Sequence, residues 1–406
     1  MPTTIRYASS NRRPDPSPGD AAPQWPTWLR RIGLITTSRA DSGIYQPLAA
    51  ALAGGGREVV WLVGGTHHES SFGATADEIY VAPGARSVRV DHFVAGDRPV
   101  DVAEASGRAV GAFARAIGEQ SIDLAVVLGD RTEMLAAALA ATICGRPIAH
   151  LHGGDRTEGA YDDVCRHAIS KLAHVHFPAA AVHADRLAAL GESPRRIHAV
   201  GSLAVDALTQ FEPEGEADRQ SALSIDFSPP PIVLCYHPET LSDVPPLRQI
   251  RVVLEAVRDV GRGVIVIGAN ADVGSGTVNR ALRDFAATTR HAVFAASLPQ
   301  RRFWSCLANC GALVGNSSAG LLEAPSLKTP AVNIGDRQKG RVRAANVIDV
   351  PLDREPITEA ILRATKPEFR RGLSNRVNPY GDGQAAARIV SVLRDLPPRD
   401  ALIRKA

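Results

Sequence analysis

The sequence predicts an α/β protein of two doubly wound parallel-sheet domains. From Arg31 onward, short apolar and β-branched runs alternate with Ala- and Leu-rich stretches, which is the pattern of parallel βαβ units. At 406 residues, the chain exceeds the usual size of one hydrophobic core. A polar, acidic and proline-bearing stretch from Gln210 to Pro231 divides the alternation into two series. Together, these three observations favour two such domains in tandem.

The first series supplies six strand candidates, with helical stretches such as GIYQPLAAALAGG and EMLAAALAATICG between them. In chain order the candidates are RIGLITTS, REVVWLVGG, SVRVDHFV, DLAVVLGD, IAHLHGG and HVHFPAA. The second series supplies PIVLCYH, GVIVIGAN, HAVFAAS, ALVGNSS and AVNIG. Because ligands of such folds bind beyond the carboxyl ends of the strands, we expect the functional residues there, in a cleft between the domains.

The composition, cysteine count and net charge of the chain indicate its compartment and exclude some classes of binding partner. Residues 1–29 are rich in Pro, Ser and charge and lack the apolar core of a signal peptide, which predicts a disordered leader. Five cysteines form no CxxC pair, and their odd number indicates reduced thiols in a cytoplasmic protein. The formal net charge of +3 is too small to indicate a nucleic-acid or membrane partner. No apolar run approaches the ~20 residues that a membrane-spanning helix requires.

Polar residues interrupt the pattern at five strand ends, and the first two carry charge. TTSRADSG places Arg39 after an apolar strand, where it can face a phosphate or can simply be a solvated loop residue. VVLGDRTEM places Asp130 just past a fully apolar strand and Glu133 one turn later. Burial there would raise the pKa of the Asp130 carboxyl towards that of a useful base. The alternative is that Asp130 caps the following helix.

The third strand end is the run HLHGGDRTEGAYDDVCRH. His150 and His152 lie two apart on a strand, which predicts that they point to the same face. The run continues with further charged or titratable residues: Asp155, Asp162, Asp163, Arg166 and His167. A zinc or manganese site is one interpretation, but HxH with distant aspartates is not a specific ligand spacing, so we predict no metal. A packed core of hydrogen-bonded histidines is the other alternative.

The remaining two strand ends belong to the second series. CYHPET places His237 directly after its first strand. LVGNSSAGLLE supplies Asn316, Ser317 and Ser318 at a strand end where a helix begins, so exposed amides there would attract a diphosphate. A basic cluster follows the next strand and is expected to bind the same anion: Arg337, Lys339, Arg341 and Arg343.

These blocks resemble a known family. TTSRADSGIYQPL, VLGDRTEM, HLHGGDRTEGAYDDVCRHAISKLAHVHF, VGSLAVDAL, YHPETLS, IGANADVGS, VGNSSAGLLEAPSLKTPAVNIGDRQKGRVRAANVIDV and NPYGDGQAAARI occur in order from about residue 31 to 394. They are similar to the UDP-N-acetylglucosamine 2-epimerases, specifically to the hydrolysing branch used in sialic acid and related nonulosonic acid pathways.

The resemblance implies a GT-B fold, in which two Rossmann-like domains face each other across a cleft. We expect an N-terminal domain over residues 30–205, a C-terminal domain over 206–380, and a last helix within 381–406 that returns to the first domain. The resemblance also implies a nucleotide-sugar substrate, a reaction without metal or redox cofactor, and a homo-oligomer, either a dimer or a tetramer.

The implied reaction eliminates UDP to give 2-acetamidoglucal and then adds water. Asp130 and Asp162 match catalytic carboxylates of the family. Glu133 is also expected to be catalytic. Four residues match those that hold UDP: Arg39, His237, Ser317 and Glu323. Other polar residues of these blocks are assigned to substrate binding: Asp163, Arg166, His167, Asn316, Ser318, Arg337, Lys339 and Arg341.

This chain departs from the family pattern at two positions. Many members have a carboxylate where this chain has His152, so either His152 or Asp155 is expected to replace it. A lysine of some relatives is Ile44 here. Three alternatives stay open: a non-hydrolysing epimerase that gives UDP-N-acetylmannosamine, a hydrolysing epimerase of UDP-N,N'-diacetylbacillosamine, and a GT-B glycosyltransferase or nucleotide-sugar binder.

Overall fold

The computed structural model describes residues 24–79, 81 and 84–405. In this part of the chain, two parallel sheets form the framework. The first contains Arg31–Thr36 (β1), Glu58–Gly64 (β2), Arg86–Val90 (β3), Leu124–Leu128 (β4), Ile148–Leu151 (β5) and Val175–Phe177 (β6). The second contains Ile232–Cys235 (β7), Val264–Ile267 (β8), Ala292–Ala295 (β9), Ala312–Gly315 (β10), Ala331–Ile334 (β11) and Val347–Val350 (β12).

Helices connect the strands. Those of the first half are Arg39–Gly54 (α1), Pro99–Glu119 (α2), Thr132–Ile143 (α3), Asp162–Leu172 (α4), Ala181–Ala189 (α5) and Leu203–Thr209 (α6). Those of the second half are Glu216–Leu223 (α7), Pro246–Val260 (α8), Ser275–Thr288 (α9), Gln300–Asn309 (α10), Ala319–Leu322 (α11), Arg354–Ala364 (α12) and Pro367–Arg371 (α13). Ala385–Arg394 (α14) and Arg399–Ile403 (α15) end the chain.

The two sheets have the same strand order. It is β3-β2-β1-β4-β5-β6 in the first and β9-β8-β7-β10-β11-β12 in the second. The order reverses beside β1 and beside β7, which is the switch point of a doubly wound sheet, so the expected fold class is confirmed. Two such domains facing a common cavity make the GT-B arrangement that the resemblance implies.

Burial on both faces explains why the strands read as continuous apolar runs. In β2, Val59, Trp61 and Val63 pack into the core on one face of the first sheet, whereas Val60 and Leu62 pack into the core on the other. Successive side chains of a strand point to opposite faces, so a sheet covered by helices on both sides needs apolar residues at every position.

The structure contains one strand that the sequence prediction omits. β12 is an edge strand with the sequence VIDV, and its residues are only half buried or exposed. An edge strand has one neighbour instead of two, so it does not need a wholly apolar sequence. The sequence of β12 therefore lacks the continuous apolar run that predicted the other strands.

The first and last described segments of the chain lie against the first domain. Residues 1–23 of the predicted leader lie outside the described residues, but residues 24–29 are ordered: Leu29 is fully buried, and the indole of Trp25 donates to the Gly55 carbonyl at 2.8 Å. Ile389 and Leu393 of α14 are buried in the same apolar core. No helix in the described part of the chain is long and apolar enough to cross a membrane.

Candidate functional site

A cavity of about 280 Å³ lies between the carboxyl ends of the two sheets. Most of the polar residues singled out in the sequence line it. Those from the first domain are Arg39, Asp130, His152, Asp162 and Arg166. Those from the second domain are His237, Ser317, Ser318, Glu323, Arg337 and Arg341.

Backbone contacts close the cavity along one side. In the loop after β5, the amides of Glu158 and Gly159 donate to the carbonyls of Lys339 and Asp336, both at 3.1 Å. A Cβ on Gly159 would lie 2.6 Å from the Asp336 carbonyl carbon, so only glycine allows this approach. The two domains therefore meet in a closed arrangement.

The turn after β1 carries Arg39 into the cavity. The Asp41 carboxylate accepts from the backbone amides of Thr37 at 3.0 Å and Ser38 at 3.1 Å, which fixes the start of α1. Arg39 donates across the cleft to Ser297 and also to Glu78 in its own domain. Burial lowers the pKa of Arg39, with Glu78 opposing the effect. Arg39 is thus a partly buried, paired side chain and not a free surface group.

Asp130 is held between two arginines. It accepts from Arg166 in its own domain and lies 3.7 Å from Arg341 of the other domain. Arg166 is fully buried and also donates to Asp163 at 3.1 Å and to Thr157 at 3.2 Å. The α3 helix begins at Thr132, and among the described residues no side chain, that of Asp130 included, caps its first turn. The carboxylate faces the cavity instead.

Asp162 begins α4 and lies 3.6 Å from the guanidinium of Arg337. Burial raises the pKa of its carboxyl to about 6; Arg337 opposes this shift, and the nearby carboxylate of Asp272 adds to it. Asp162 can therefore take up and release a proton near neutral pH, which is the property required of a general acid or base.

The two histidines of the HLH run do not share a face, so that prediction is wrong. β5 ends at Leu151, and His152 has a left-handed backbone with φ 61, so strand alternation no longer sets its direction. His150 is fully buried; its ring contacts the Gly129 carbonyl at 2.8 Å and the Ser170 hydroxyl at 3.1 Å. His150 is the packed core histidine of the structural alternative, and burial lowers its pKa to about 3.

His152 is the histidine that reaches the cavity. Its Nε2 atom is buried and has no hydrogen-bond partner among the described residues. Burial lowers the pKa of the ring to about 4, with Asp155 opposing and Arg341 adding to the shift. The ring is therefore neutral at pH 7, with a nitrogen available to a ligand.

Asp155 does not line the cavity. Its carboxylate is 3.2 Å from His183 Nε2 and 3.2 Å from Arg341 Nε. Burial disfavours its charge, but Arg341 and His183 outweigh burial and hold the pKa of Asp155 below its ordinary value. The carboxylate thus positions Arg341 and stays ionised.

His237 follows β7 and is fixed by its neighbours. Its Nδ1 accepts from the Asn270 amide at 3.2 Å, and Asn316 pairs with its backbone amide and carbonyl at 2.7 and 2.8 Å. Burial lowers the pKa of the ring to about 3, so it is neutral. Because Nδ1 is an acceptor, the proton lies on Nε2, whose nearest partner is the weakly accepting Cys235 Sγ at 3.7 Å.

The serines and Glu323 occupy the turn after β10. Ser317 Oγ accepts from the Ala319 amide at 3.3 Å. α11 spans only four residues, so the helix dipole predicted for this position is short. Glu323, at the end of α11, has a buried Oε2 without a partner in the described residues, and burial raises its pKa to about 7.

Several predicted site residues lie outside the cavity lining, and each has a structural partner. Glu133 pairs with Arg131 at 3.0 Å, and His167 with Asp163 at 3.4 Å. Asp163 also accepts from the Thr157 amide at 2.7 Å. Lys339 is more than half exposed. Asn316, Glu133 and Asp163 thus hold residues that line the cavity, namely His237, Arg131 and Arg166. Lys339 lies near Glu158 and Asp336 instead, at 3.9 and 3.8 Å.

Two charged residues were missed by the sequence reasoning. Arg131, directly after Asp130, lines the cavity and lies 3.6 Å from Asp272 of the second domain. Burial disfavours the charge of Arg131, but Glu133 and Asp272 together hold its pKa above its ordinary value. Asp272 lies in the quoted block IGANADVGS, yet its partners come from other segments, so local sequence carried no signal for it.

No group of three or more His, Cys, Asp or Glu side chains in the described residues is arranged to hold a metal ion. In the run from His150 to His167, His150 contacts a hydroxyl and a carbonyl, and Asp155 and Asp163 contact guanidinium groups.

Comparison with known proteins agrees with the fold and the ordered motifs. Residues 51–394 match the family described as UDP-N-acetylglucosamine 2-epimerase. A Legionella pneumophila protein named UDP-N,N'-diacetylbacillosamine 2-epimerase (hydrolyzing) is 31% identical over 93% of this chain and 99% of its own length. The Escherichia coli polysialic acid biosynthesis protein P7 is 32% identical over 90% of this chain and 94% of its own.

The solved structure of Methanocaldococcus jannaschii UDP-GlcNAc 2-epimerase, in complex with UDP-GlcNAc and UDP, has the same fold. Its TM-score is 0.75 at 17% identity, over 90% of this chain and 100% of that one. The family match, the similar relatives and the shared fold lead to one conclusion: the chain belongs to the UDP-N-acetylglucosamine 2-epimerase family and is an epimerase of UDP-linked sugars.

Proposed function

We propose that the protein is a hydrolysing 2-epimerase that converts UDP-N-acetylglucosamine and water into N-acetylmannosamine and UDP. The observation that carries the proposal is that groups able to transfer protons lie directly beside guanidinium groups in one cavity. Asp162 is 3.6 Å from Arg337, Asp130 is 3.7 Å from Arg341, and His152 lines the same cavity. A nucleotide sugar bound here would have carboxylates and an imidazole near its C1–C2 bond and guanidinium groups near its diphosphate.

The reaction is an elimination followed by a hydration. A base takes the proton from C2 of the sugar, the C–H electron pair becomes the C1=C2 double bond, and the C1–O bond to UDP breaks with its pair leaving on UDP. Water then adds to C1 of the 2-acetamidoglucal, and C2 receives a proton on the opposite face. Neither carbon centre needs an external oxidant or reductant, so the groups required are acids, bases and charge stabilisers.

Asp162 is assigned to proton transfer at C2. The C2 proton is not next to a carbonyl, so its removal draws on positive charge that develops at C1 as UDP leaves. The Asp130 carboxylate, fixed by Arg166, can stabilise that charge electrostatically. Asp162, whose pKa is about 6, can accept the proton at neutral pH and release it afterwards.

His152 is assigned to the place that a carboxylate occupies in many family members. His152 lines the cavity, and its buried Nε2 atom has no partner in the described residues, whereas Asp155 is already bound by Arg341 and His183. A neutral imidazole can hydrogen-bond the substrate, or it can take up a proton from solvent and then, as the imidazolium, donate that proton to the substrate. Asp155 acts through Arg341 in this proposal.

UDP-N,N'-diacetylbacillosamine is a second candidate substrate. The name of the Legionella pneumophila relative favours it. That sugar also carries a 2-acetamido group and a C2 proton beside the C1–O–UDP bond, so the same residues would perform the same elimination. The choice between the two sugars depends on contacts at C4 and C6.

Incubation with each nucleotide sugar in heavy water tests the proposal. Proton NMR should show free UDP and a free mannose-configured sugar with deuterium at C2. A mannose-configured product that still carries UDP would identify a non-hydrolysing enzyme. Absence of both UDP release and deuterium from every UDP-sugar would refute the proposed function.

The variant Asp162→Asn tests whether Asp162 transfers the proton. It should reduce turnover by about 10²-fold or more while UDP still binds, because it removes the titrating group and keeps its shape. Glu158→Gln, on an exposed side chain of the same loop, should leave the rate close to that of the wild type.

A further inference from the structure

We propose that Asp272 is a positioning residue of the reaction: in the closed protein it holds Arg131 and Arg337 around Asp162 and places a second buried negative charge beside that carboxylate. The kinetic part of this inference rests on the proposed function. The geometric part depends only on the described residues.

Asp272 shares its arginines with the catalytic carboxylate. One of its oxygens lies 3.6 Å from Arg131 and the other 3.8 Å from Arg337. The same Arg337 nitrogen is 3.6 Å from Asp162. The side chain of Asp272 is only 13% exposed, and its Oδ2 accepts no hydrogen bond from the described residues. Asp272 therefore acts on its neighbours mainly through charge.

The contact of Asp272 with Arg131 and its proximity to Asp162 exist only while the domains are closed, whereas Arg337 lies in the same domain as Asp272. Asp272 belongs to the loop between β8 and α9 of the second domain, whereas Arg131 and Asp162 belong to the first. The end of this loop docks on Asp97 of the first domain, which accepts from the Gly274 amide at 3.0 Å and the Gly276 amide at 2.8 Å. Opening the cleft would withdraw the Asp272 charge from Asp162.

The charge balance around Asp162 gives the expected effect. The charged groups that act on Asp162 are Arg337, Arg131 and Arg341, which favour its carboxylate form, and Asp272, which opposes it; Tyr161 and Cys165 are uncharged neighbours. Removing the Asp272 charge leaves Asp162 among three guanidinium groups. Its affinity for a proton should then fall, with a pKa lower by on the order of one unit.

The experiment compares pH profiles of kcat/KM for the wild type, Asp272→Asn, Asp272→Glu and Asp97→Ala. The inflection assigned to Asp162, identified by its loss in Asp162→Asn, should move to lower pH by about one unit in Asp272→Asn. This direction holds whether Asp162 acts as base or as acid. Asp272→Glu should restore the inflection. Asp97→Ala removes only the side-chain bond to the Gly276 amide, while the backbone carbonyl of residue 97 still accepts from Gly274, so the loop stays docked. This variant should raise KM and leave the inflection close to its wild-type position.

The possible outcomes are distinguishable. Equal behaviour of Asp272→Asn and Asp97→Ala, or an inflection that does not move down, overturns the role of Asp272 and leaves the proposed function intact. Absence of turnover in the wild type overturns the proposed function. A carboxyl ¹³C titration of aspartate-labelled protein, with Asp162→Asn to assign the signal, then still tests Asp272. Asp272→Ser removes the same charge if the asparagine variant does not fold.

Discussion

At the scale of single residues, the proposed UDP site includes His237, a buried neutral ring whose Nε2–H could donate to an anion. Its Nδ1 accepts from Asn270, so its Nε2 is the donor. Gln places an amide nitrogen near the Nε2 position and Asn places one near Nδ1. His237→Gln should therefore retain UDP affinity within a few-fold, whereas His237→Asn should lose roughly ten-fold or more.

Calorimetric titration with UDP measures this difference. ¹⁵N NMR of the wild-type ring should show the Nε2–H tautomer between pH 6 and 8. An imidazolium signal in that range would contradict the neutral donor.

Glu323 makes the stability of the protein depend on pH. Its folded pKa of about 7 lies above the usual value of a glutamate, so the folded state binds the extra proton between roughly pH 4.5 and 7. Stability contributed by this group is therefore lost as pH rises through that window. The advantage of Glu323→Gln over wild type should grow from near zero at pH 4 to at most about 3 kcal/mol at pH 8.

Thermal unfolding at a series of pH values measures the effect. Glu359→Gln, on an exposed part of α12, is the control and should show no such growth. A constant difference between wild type and Glu323→Gln at all pH values would contradict the buried carboxyl.

Sequence reasoning located most of the charged residues that line the cavity, because they lie in segments that follow apolar strands, and parallel strands end at one edge of a sheet. It could not predict where a side chain points once the strand has ended. His152 was placed with His150 by alternation, but a left-handed backbone at His152 ended that alternation. Asp272 and Arg131 were missed because the contact between them joins the two domains and leaves no pattern in the local sequence.

At the scale of elements, the docking of α14 depends on an aspartate from another helix. Asp206 on α6 accepts from the amides of Ala385 and Ala386 at 2.9 and 2.6 Å, so it caps a helix almost 180 residues away. Asp206→Ala should cost about 1–2 kcal/mol and increase hydrogen exchange in α14. Asp206→Asn should cost less, because it keeps one acceptor.

Urea unfolding and exchange mass spectrometry provide the two measurements. Asp395→Ala, at the exposed opposite end of α14, should change neither. Unchanged exchange in α14 of Asp206→Ala would refute the capping role.

Strands and helices were the features of the structure that the sequence predicted best. Buried parallel strands need apolar residues on both faces, and that requirement is visible in a single strand without its neighbours. The half-exposed edge strand β12 and the packing of Trp25 and Leu29 lack such local signals, because each is determined by contacts with other segments of the chain.

At the scale of the whole molecule, Gly159 controls how closely the domains approach. Gly159→Ala would put a methyl group 2.6 to 2.7 Å from the backbone of Asp336 and Arg337, so we expect a more open cleft with both domains folded. Turnover should fall and KM should rise. Small-angle scattering should show a larger radius of gyration.

Gly118→Ala, in open space on α2, is the matched control. It should keep full activity and gain up to about 1 kcal/mol in stability. Unchanged scattering and kinetics in Gly159→Ala would contradict a closed working form.

The arginines that cross the cleft have a further consequence. Arg337 and Arg341 already face carboxylates of the first domain, so an arriving diphosphate does not meet bare cations but competes with counter-ions that the protein supplies itself. When the diphosphate binds, it replaces the carboxylates as the partner of these arginines. As Arg337 turns to the ligand, Asp162 loses the cation that favours its ionised form. UDP binding near pH 6 should therefore draw protons from the buffer, and calorimetry in buffers of different ionisation enthalpy would measure that uptake.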